Sequence, residues 1–423
     1  MLQAKQRFLP LDVLRGMTIC FMIIVNTPGG PAYWPLDHAP WNGFTPTDLV
    51  FPTFLFCVGN AMSFTMRKYE EQGRGAVLAK IFKRTALIFL CGFLLYWFPF
   101  FQHTDAGWSI RPLSHARILG VLQRIALCYG IASLLIYFLP RNAVWAVAII
   151  FLLGYWFLAW YFGDPGGVSP DSLVGPYTLH GNAVLKLDRL IMGNNHLYRD
   201  SGPPALGFPF DPEGILSTIP AVVNTIAGYY AGLYVQKNGQ QAKKIWQMIA
   251  AGALLVIVAW CWNTVFPINK KLWTSSFVVN TVGIDLILLG FLIFIIDFRG
   301  WKSWTPFFVT VGKNPLAVYL LSELLIVVLF LIPVGDNDLA GWIISHTTAH
   351  IPPPEIGSLV FAIGYMLVCW CFGKLLEVRN ENLTFNTLRI DGNYYPYVPP
   401  GMRGHFFAEI TTVSDFRFNI FAL

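Results

Sequence analysis

Charged residues are scarce in this 423-residue sequence: Asp, Glu, Lys and Arg make up 12% of it, about half the fraction usual in soluble domains. Hydrophobic residues make up 55%, and the mean hydropathy is positive. This balance excludes an ordinary soluble protein and indicates a polytopic protein embedded in a lipid bilayer. The net charge of +6 does not indicate nucleic-acid binding, because the basic residues are scattered over short connections.

Several familiar motifs are also lacking. The sequence has no P-loop, dinucleotide fingerprint, zinc-ligand spacing or serine-nucleophile elbow. Its seven cysteines all lie in apolar runs, where a thiol behaves as a small hydrophobic group, so we expect neither disulfides nor a metal site. Lys5 and Arg7 precede the first apolar run, but no small-residue cleavage site follows it, which favours a retained anchor over a signal peptide.

Long apolar runs are the main feature that is present. Ten of them approach the roughly 20 residues that cross a bilayer core, which predicts an all-α polytopic membrane protein with about ten transmembrane helices in one bundle. The predicted spans are approximately residues 11–27, 46–66, 82–101, 117–139, 143–162, 215–235, 247–266, 275–296, 308–333 and 356–377. We assign residues 1–388 to this transmembrane domain and residues 389–423 to a polar C-terminal tail of unknown role.

The distribution of Lys and Arg predicts the orientation. One set of connections carries most of these residues, whereas residues 334–355 on the opposite side contain none. By the positive-inside rule, both termini are then cytoplasmic, and the loop after the first span faces outward. The 163–214 segment also faces outward, and loops of that length often serve as lids or binding loops.

The loop after the first span holds the densest set of reactive side chains. Five prolines and three glycines between Pro28 and Pro46 prevent a helix there. A carboxylate can orient an imidazole that accepts a proton from a nucleophile, so His38 and Asp48 are candidate catalytic residues. The alternative is a connecting loop with a solvated histidine. The polar side chains of the loop include Asn26, Asp37, His38, Asn42 and Asp48.

Ionisable residues inside spans mark either a functional site or a structural ion pair. Arg117 and Arg124 are seven residues apart, which on a helix places them on one face about 10 Å apart. Together they would suit a pyrophosphate, and pairing with carboxylates is the alternative. Asn314 and Glu323 lie on the ninth span and can line one cavity, while Asp211 is expected to cap the sixth span.

Several short segments carry a resemblance to a known family. They are Leu11-Asp-Val-Leu-Arg-Gly-Met-Thr18, Val25-Asn26, His38-Ala-Pro-Trp-Asn-Gly-Phe-Thr-Pro-Thr-Asp-Leu-Val-Phe-Pro52, Gly120-Val-Leu-Gln-Arg124, Asp211-Pro-Glu-Gly-Ile-Leu-Ser-Thr218, Asn269-Lys-Lys-Leu-Trp273, Thr305-Pro-Phe-Phe308 and the stretch from Asn314 to Glu323. In this order, from about residue 7 to 378, they resemble the heparan-α-glucosaminide N-acetyltransferase family. The opening segment is the least specific, because it also resembles other membrane acyltransferases.

The resemblance implies an enzyme that moves acetyl from cytoplasmic acetyl-CoA, its co-substrate, to the amine of a glucosamine-type sugar on the other side of the membrane. It places the catalytic histidine at His38, with Asn26 and Asp48 beside it. It further implies acceptor-binding and donor-binding residues and no metal. The acceptor set is Trp41, Asn42, Glu323 and Asn314, and the acetyl-CoA set is Arg124, Gln123 and Arg117.

The chain departs from the family in lacking its large lumenal domain and in having its own tail, and we expect a bacterial inner-membrane protein. The acceptor would be a small amino sugar or the end of an oligosaccharide. Direct transfer and a transient acetyl-imidazole on His38 both remain open, as does a homodimer. The alternatives are another membrane O-acyltransferase and a sugar permease. A permease should show two related halves or paired broken helices, and neither is evident in the sequence.

Overall fold

The computed structural model describes residues 8–69, 73–104, 107–169, 173–199, 208–385, 387–390 and 393–396. Helices dominate this part of the chain, and the strands form three short antiparallel hairpins. The helices are α1 Leu9–Asn26, α2 Val50–Tyr69, α3 Arg74–Trp97, α4 Val121–Phe138, α5 Arg141–Tyr161, α6 Ala183–Met192, α7 Ile215–Asn238, α8 Ala242–Trp262, α9 Ser275–Ile293, α10 Thr305–Lys313, α11 Pro315–Leu331, α12 Leu339–Thr347 and α13 Pro354–Phe385. The strands are β1 Phe101–Thr104, β2 Gly107–Ile110, β3 Pro333–Val334, β4 Asn337–Asp338, β5 Thr387–Ile390 and β6 Asn393–Pro396.

The predicted all-α membrane fold is confirmed. Each of the ten predicted spans coincides with one long helix or, for the ninth, with the pair α10 and α11. Seven helices in the described part are long and apolar enough to cross a membrane, and the α10–α11 pair, bent by 82°, makes an eighth if it counts as one span. Helices α3 and α7 are also long enough, but they are more polar, so length and composition alone do not identify them as membrane spans.

Pairs of helices approach each other closely where a glycine of one helix faces a glycine of the other. Helix α2 packs along α7, α8 along α9, and α1 along α10. A Cβ added to Gly59 of α2 would lie 1.9 Å from the carbonyl oxygen of Thr225, which no structure tolerates. Small residues at helix crossings are typical of membrane proteins, where close backbone packing replaces the hydrophobic effect between helices. The facing glycines are Gly59 with Gly228, Gly252 with Gly283, and Gly16 with Gly312.

The long 163–214 segment is folded where it is described. It contains α6, which begins at the cap Asn182, whose side chain accepts a hydrogen bond from the backbone N–H of Leu185. Residues of this segment join a satellite core with the ends of α5 and α8 and the loop before α2. Its members include Trp41, Tyr155, Val184, Leu185, Leu197, Phe210, Phe266 and Leu272. Most of the predicted tail, residues 397–423, lies outside the described residues.

Candidate active site

The loop between α1 and α2 is held in shape by its own hydrogen bonds. Helix α1 ends at Asn26, and two short 3₁₀ turns follow, Trp34–Leu36 and Pro46–Leu49. Thr45 and Asp48 form a capping box at the second turn, in which each side chain bonds the backbone of the other residue. This turn buries Asp48 at the start of α2 and fixes its carboxylate toward the middle of the loop.

His38 and Asp48, predicted as a pair, are in contact: Nδ1 of His38 lies 2.8 Å from Oδ1 of Asp48. The second carboxylate oxygen, Oδ2, accepts hydrogen bonds from the N–H of Ala39 at 3.2 Å and the N–H of Thr45 at 3.0 Å. A carboxylate held by several donors is an acceptor, so we assign the imidazole hydrogen to Nδ1 and the lone pair to Nε2. Asp48 is 1% exposed, whereas the His38 side chain is 42% exposed, so the pair fixes an imidazole that keeps an open side.

Lys270 lies beside His38 and Asp48 and forms a cluster of three with them, although the sequence did not predict it as a site residue. Its Nζ lies 3.1 Å from each ring nitrogen of His38 and 3.8 Å from Oδ1 of Asp48. Burial lowers the pKa of the Lys270 ammonium, and the charge of Asp48 opposes that shift. The only signal in the sequence was the segment Asn269–Trp273, which carried part of the resemblance but was given no role.

The loop that carries Lys270 is tied directly to the His38 loop. The side-chain N–H of Asn269 donates to Oδ1 of Asn42 at 3.1 Å, and the N–H of Gly43 donates to the carbonyl of Ile268 at 2.8 Å. The neighbouring Lys271 donates to the carbonyl of Pro40 at 2.7 Å. Asn42, predicted to contact substrate, therefore lies at the junction of the two loops.

A cavity of about 390 Å³ opens beside His38. That volume lies within the range of roughly 300–1,000 Å³ typical of small-molecule sites. Asn26 hydrogen-bonds to Glu323, so two of the predicted site residues form a polar wall opposite apolar side chains. The cavity lining is Met22, Ile23, Val25, Asn26, Thr27, Pro28, His38, Ser322, Glu323 and Ile326.

Asn314 lies apart from this cavity. It occupies the junction between α10 and α11, where the chain bends by 82°. Glu323 follows nine residues later on α11 and reaches the cavity, so the structure does not bring the two predicted residues to one lining.

Trp41 is buried and joins two loops. Its Nε1–H donates to the carbonyl of Tyr177 at 2.9 Å, and its ring packs against Phe210 at 5.6 Å. At 5% exposure it belongs to the satellite core, and it fixes the 163–214 segment beside the His38 loop. This packing was not foreseen for a residue expected to bind substrate.

The two arginines expected on one helix face are placed differently. Helix α4 begins at Val121, so Arg117 lies in the preceding loop and only Arg124 is helical. Arg117 makes a bidentate ion pair with Asp211, at 2.9 and 2.7 Å, and also contacts Glu213. Burial disfavours its charge, but Asp211 and Glu213 outweigh burial and raise the pKa of Arg117. The predicted cap role of Asp211 is wrong, since α7 begins at Ile215 with Gly214 as its N-cap.

Arg124 is fully buried and only partly satisfied. Its Nη2 donates to the carbonyl of Gly214 at 3.2 Å and to the hydroxyl of Ser217, and its guanidinium lies 4.9 Å from the Trp273 ring centre. Within the described part of the chain, its Nε and Nη1 have no hydrogen-bond partner, and neither amide atom of the buried Gln123 has one. Buried donors rarely stay unpaired, so these groups are available to a ligand or to water.

The sequence of the chain matches known proteins over much of its length. Residues 7–173 match the family model described as heparan-alpha-glucosaminide N-acetyltransferase, catalytic. The heparan-alpha-glucosaminide N-acetyltransferase of Mus musculus is 30% identical over 74% of this chain and 53% of its own length, and that of Homo sapiens is 29% identical over 75% and 53%. The chain spans about half the length of these curated relatives. By these matches and by the membrane-helix fold, the chain is similar to the heparan-alpha-glucosaminide N-acetyltransferase family.

Proposed function

We propose that this protein is a transmembrane N-acetyltransferase that moves acetyl from acetyl-CoA to the amine of a glucosamine-type sugar. The observation that carries the proposal is the His38–Asp48 pair at the edge of a ligand-sized cavity. The curated relatives are named for acetyl transfer to a glucosaminide, which supports the same reaction class here. Residues 1–388 form the acyltransferase domain in this proposal.

The chemistry requires a base, an oxyanion donor and a leaving group. Nε2 of His38 accepts a proton from the amine, whose nitrogen attacks the thioester carbonyl carbon of acetyl-CoA. The carbon–nitrogen bond forms first and gives a tetrahedral intermediate; the carbon–sulfur bond then breaks, and CoA leaves as its thiol after taking up the proton from His38. Lys270 and the amide of Asn26 or Asn42 are the donors to the tetrahedral oxyanion.

A two-step version uses the same residues. Nε2 of His38 attacks the thioester, CoA leaves, and the amine then takes acetyl from the acetyl-imidazole. Asp48 stabilises the positive imidazole in both versions. The two versions differ in one observable, since only the second leaves acetyl on the protein when no acceptor is present.

Donor binding is assigned to Arg124 and Gln123. Both are buried next to each other on α4 and present unpaired polar atoms, which suits the phosphate and amide groups of acetyl-CoA. Arg117 was expected to share this role. Its charge is already paired with Asp211 and Glu213, so we place it as an anchor for the loop that precedes α7.

Acceptor binding is assigned to the polar side of the cavity. Glu323 and Asn26 are placed to bind the amine and a hydroxyl of the sugar, and Asn42 lies at the base of the His38 loop. Trp41 and Asn314 act at a distance, the first by fixing the outer loop and the second at the α10–α11 bend.

We place the protein in a bacterial inner membrane, and the Lys and Arg distribution supports an orientation with both termini in the cytoplasm and the His38 loop in the periplasm. Acetyl-CoA would then enter from the cytoplasm and the sugar from the periplasm. Single cysteines placed at Asp37 and at Gly75 test this orientation. A membrane-impermeant thiol reagent applied to intact spheroplasts should label the first position and not the second, and the reverse pattern would overturn it.

One observation favours a second candidate. Helices α10 and α11 form a broken span, a feature of transporters that bind substrate at the break. A sugar permease would move labelled glucosamine into vesicles without consuming acetyl-CoA. The acetyltransferase would consume acetyl-CoA stoichiometrically with the formation of N-acetylglucosamine, so one vesicle assay with both readouts separates the two.

The variant His38→Ala tests the proposal itself. We expect turnover to fall on the order of a hundredfold or more, because the general base or acetyl carrier is lost. Binding of acetyl-CoA and folding should survive, since the His38 side chain is 42% exposed and contributes little packing. The matched control is His115→Ala, at an exposed histidine of another loop. Near-normal transfer by His38→Ala would reduce His38 to a solvated loop residue.

A further inference from the structure

An apolar groove of about 450 Å³ lies between α5, α7, α8 and α9. It shares no lining residue with the cavity beside His38. Helices α5 and α8 form two of its walls. Only 22% of the residues in the apolar stretch of each helix are buried inside the protein, a smaller share than in any other candidate span of the described chain. The groove therefore lies on the side of the bundle that faces the bilayer.

The groove runs parallel to the helices. Its lining extends from Arg141 to Leu152 on α5 and from Tyr234 back to Val223 on α7. Each stretch spans eleven residue steps, or about 16 Å at the rise of an α-helix. Because a bilayer core is about 30 Å thick, this length matches the hydrocarbon depth of one leaflet.

The two ends of the groove differ in chemistry. Apolar side chains line most of its length, whereas Arg141, Tyr230, Tyr234 and Gln247 line one end. The guanidinium of Arg141 lies 5.5 Å from the Tyr230 ring centre, and Trp145 stacks on the same ring at 4.9 Å. Among the described residues no carboxylate pairs with Arg141, which leaves its charge available to an anion.

We propose that this groove binds one acyl chain of an anionic phospholipid, with the lipid phosphate against Arg141. The apolar length fits one chain in one leaflet, and the cation at the polar end selects a negative headgroup. Lys237, Lys243 and Lys244 lie at the same end of α7 and α8 and add to the positive field. This lipid site is independent of the proposed acetyl transfer.

Native mass spectrometry of delipidated protein in mild detergent tests the proposal. Phosphatidylglycerol and phosphatidylcholine with identical acyl chains are added in separate titrations. We expect one phosphatidylglycerol to bind per chain, with an apparent melting temperature that rises as it binds, and weaker binding of phosphatidylcholine.

Variants at the two ends of the groove separate headgroup from chain recognition. Arg141→Gln should weaken phosphatidylglycerol binding roughly tenfold or more and remove the headgroup preference. Ala251→Phe fills the groove from an exposed alanine and should abolish binding of both lipids. The matched controls are Ala250→Phe, at an exposed neighbour outside the lining, and Lys302→Gln, at an exposed cation on another connection.

Three outcomes overturn the proposal. Equal binding of both lipids, unchanged by Arg141→Gln, would mean that no phosphate is recognised. Two chains in the native complex that separate in Ala251→Phe would make the groove an interface between copies of this chain. Retention of detergent alone, with no phospholipid at any concentration, would mean an adventitious additive only. Variants that fail to fold are identified by loss of a single elution peak, and the lipid comparison in the wild-type protein then decides.

Discussion

Nδ1 of His38 and Oδ1 of Asp48 lie 2.8 Å apart at one mouth of a membrane-helix bundle. The nine residues between them form a loop that buries the carboxylate and leaves the imidazole open. This separation of roles, one residue fixed and one accessible, is the arrangement that a general base requires.

Asp48→Asn tests whether the carboxylate sets the state of the imidazole. The amide oxygen can still accept from the N–H of Thr45 and Ala39, but the amide N–H₂ then faces His38 and favours the other tautomer. Turnover should fall by on the order of 10²–10⁴ with little loss of folding. Steady-state kinetics and a thermal melt measure both effects.

Asp37→Asn is the control for this change. Asp37 is an exposed carboxylate that accepts from the backbone N–H of His38 in the same loop, at 2.8 Å. Equal losses in the two variants would show that loop charge, and not the orientation of the ring, controls the rate.

Arg124→Gln tests donor binding. Removal of a buried charged contact is worth about 2–5 kcal/mol, so the KM for acetyl-CoA should rise at least tenfold while the KM for the sugar stays near the wild-type value. Ser217→Ala is the control, because it removes one partner of Arg124 and leaves the charge in place. A parallel rise in both KM values would instead identify Arg124 as a structural residue that binds neither substrate.

Local features of the sequence predicted much of the structure. Apolar runs located every long helix, because a membrane span is a property of about 20 consecutive residues. The His38–Asp48 contact was also accessible, because both residues lie in one short loop whose prolines and glycines exclude a helix. Asp12 and Arg15 on α1 form an ion pair at 2.6 Å, because residues at i and i+3 lie on one face of a helix.

Contacts between distant segments could not be predicted in this way. Lys270 reaches His38 across 232 residues, and Arg117 reaches Asp211 across 94. No periodicity encodes which loops meet at one end of a bundle, since that depends on how the helices pack. The packing of Trp41 could not be predicted for the same reason, because its partner Tyr177 lies in a segment without a clear pattern.

Asp188 makes stability depend on pH. It lies on α6, fully buried, where Oδ1 accepts from the N–H of Ile215 at 2.9 Å and Oδ2 has no hydrogen-bond partner among the residues that the structure describes. Burial raises the pKa of Asp188 to about 7, although that hydrogen bond opposes the shift. A raised pKa means that the folded state holds the proton more tightly, so this stabilisation is complete below the unfolded pKa near 4 and is lost as pH rises through about 7.

Asp188→Asn should remove that dependence. The amide stays neutral at every pH, so the variant should melt several degrees higher than wild type at pH 8, and the difference should be smaller at pH 5. Asp164→Asn, at an exposed carboxylate of the same segment, should retain the wild-type slope. Identical slopes for wild type and Asp188→Asn, measured by apparent melting temperature from pH 5 to 8, would exclude Asp188 as the titrating group.

Turnover should depend on pH through the charge of Lys270. Its ammonium lies 3.1 Å from the His38 ring nitrogens, where a positive charge stabilises the oxyanion of the tetrahedral intermediate. Burial lowers the pKa of this lysine from its ordinary value near 10.5, so the charge is present at low pH and is lost at a pH below that value. Turnover of the wild-type enzyme should therefore decline on the alkaline side.

The variants Lys270→Arg and Lys270→Met separate charge from shape. A guanidinium remains charged throughout the accessible range, so Lys270→Arg should lose some activity at neutral pH but extend the plateau to higher pH. Lys270→Met has no charge to lose and should be slow at every pH, with kcat reduced more than the KM for either substrate. Lys271→Arg, one residue along the same loop, should keep the wild-type profile, because Lys271 bonds the carbonyl of Pro40. An alkaline decline that persists unchanged in Lys270→Arg would assign the titration to another group.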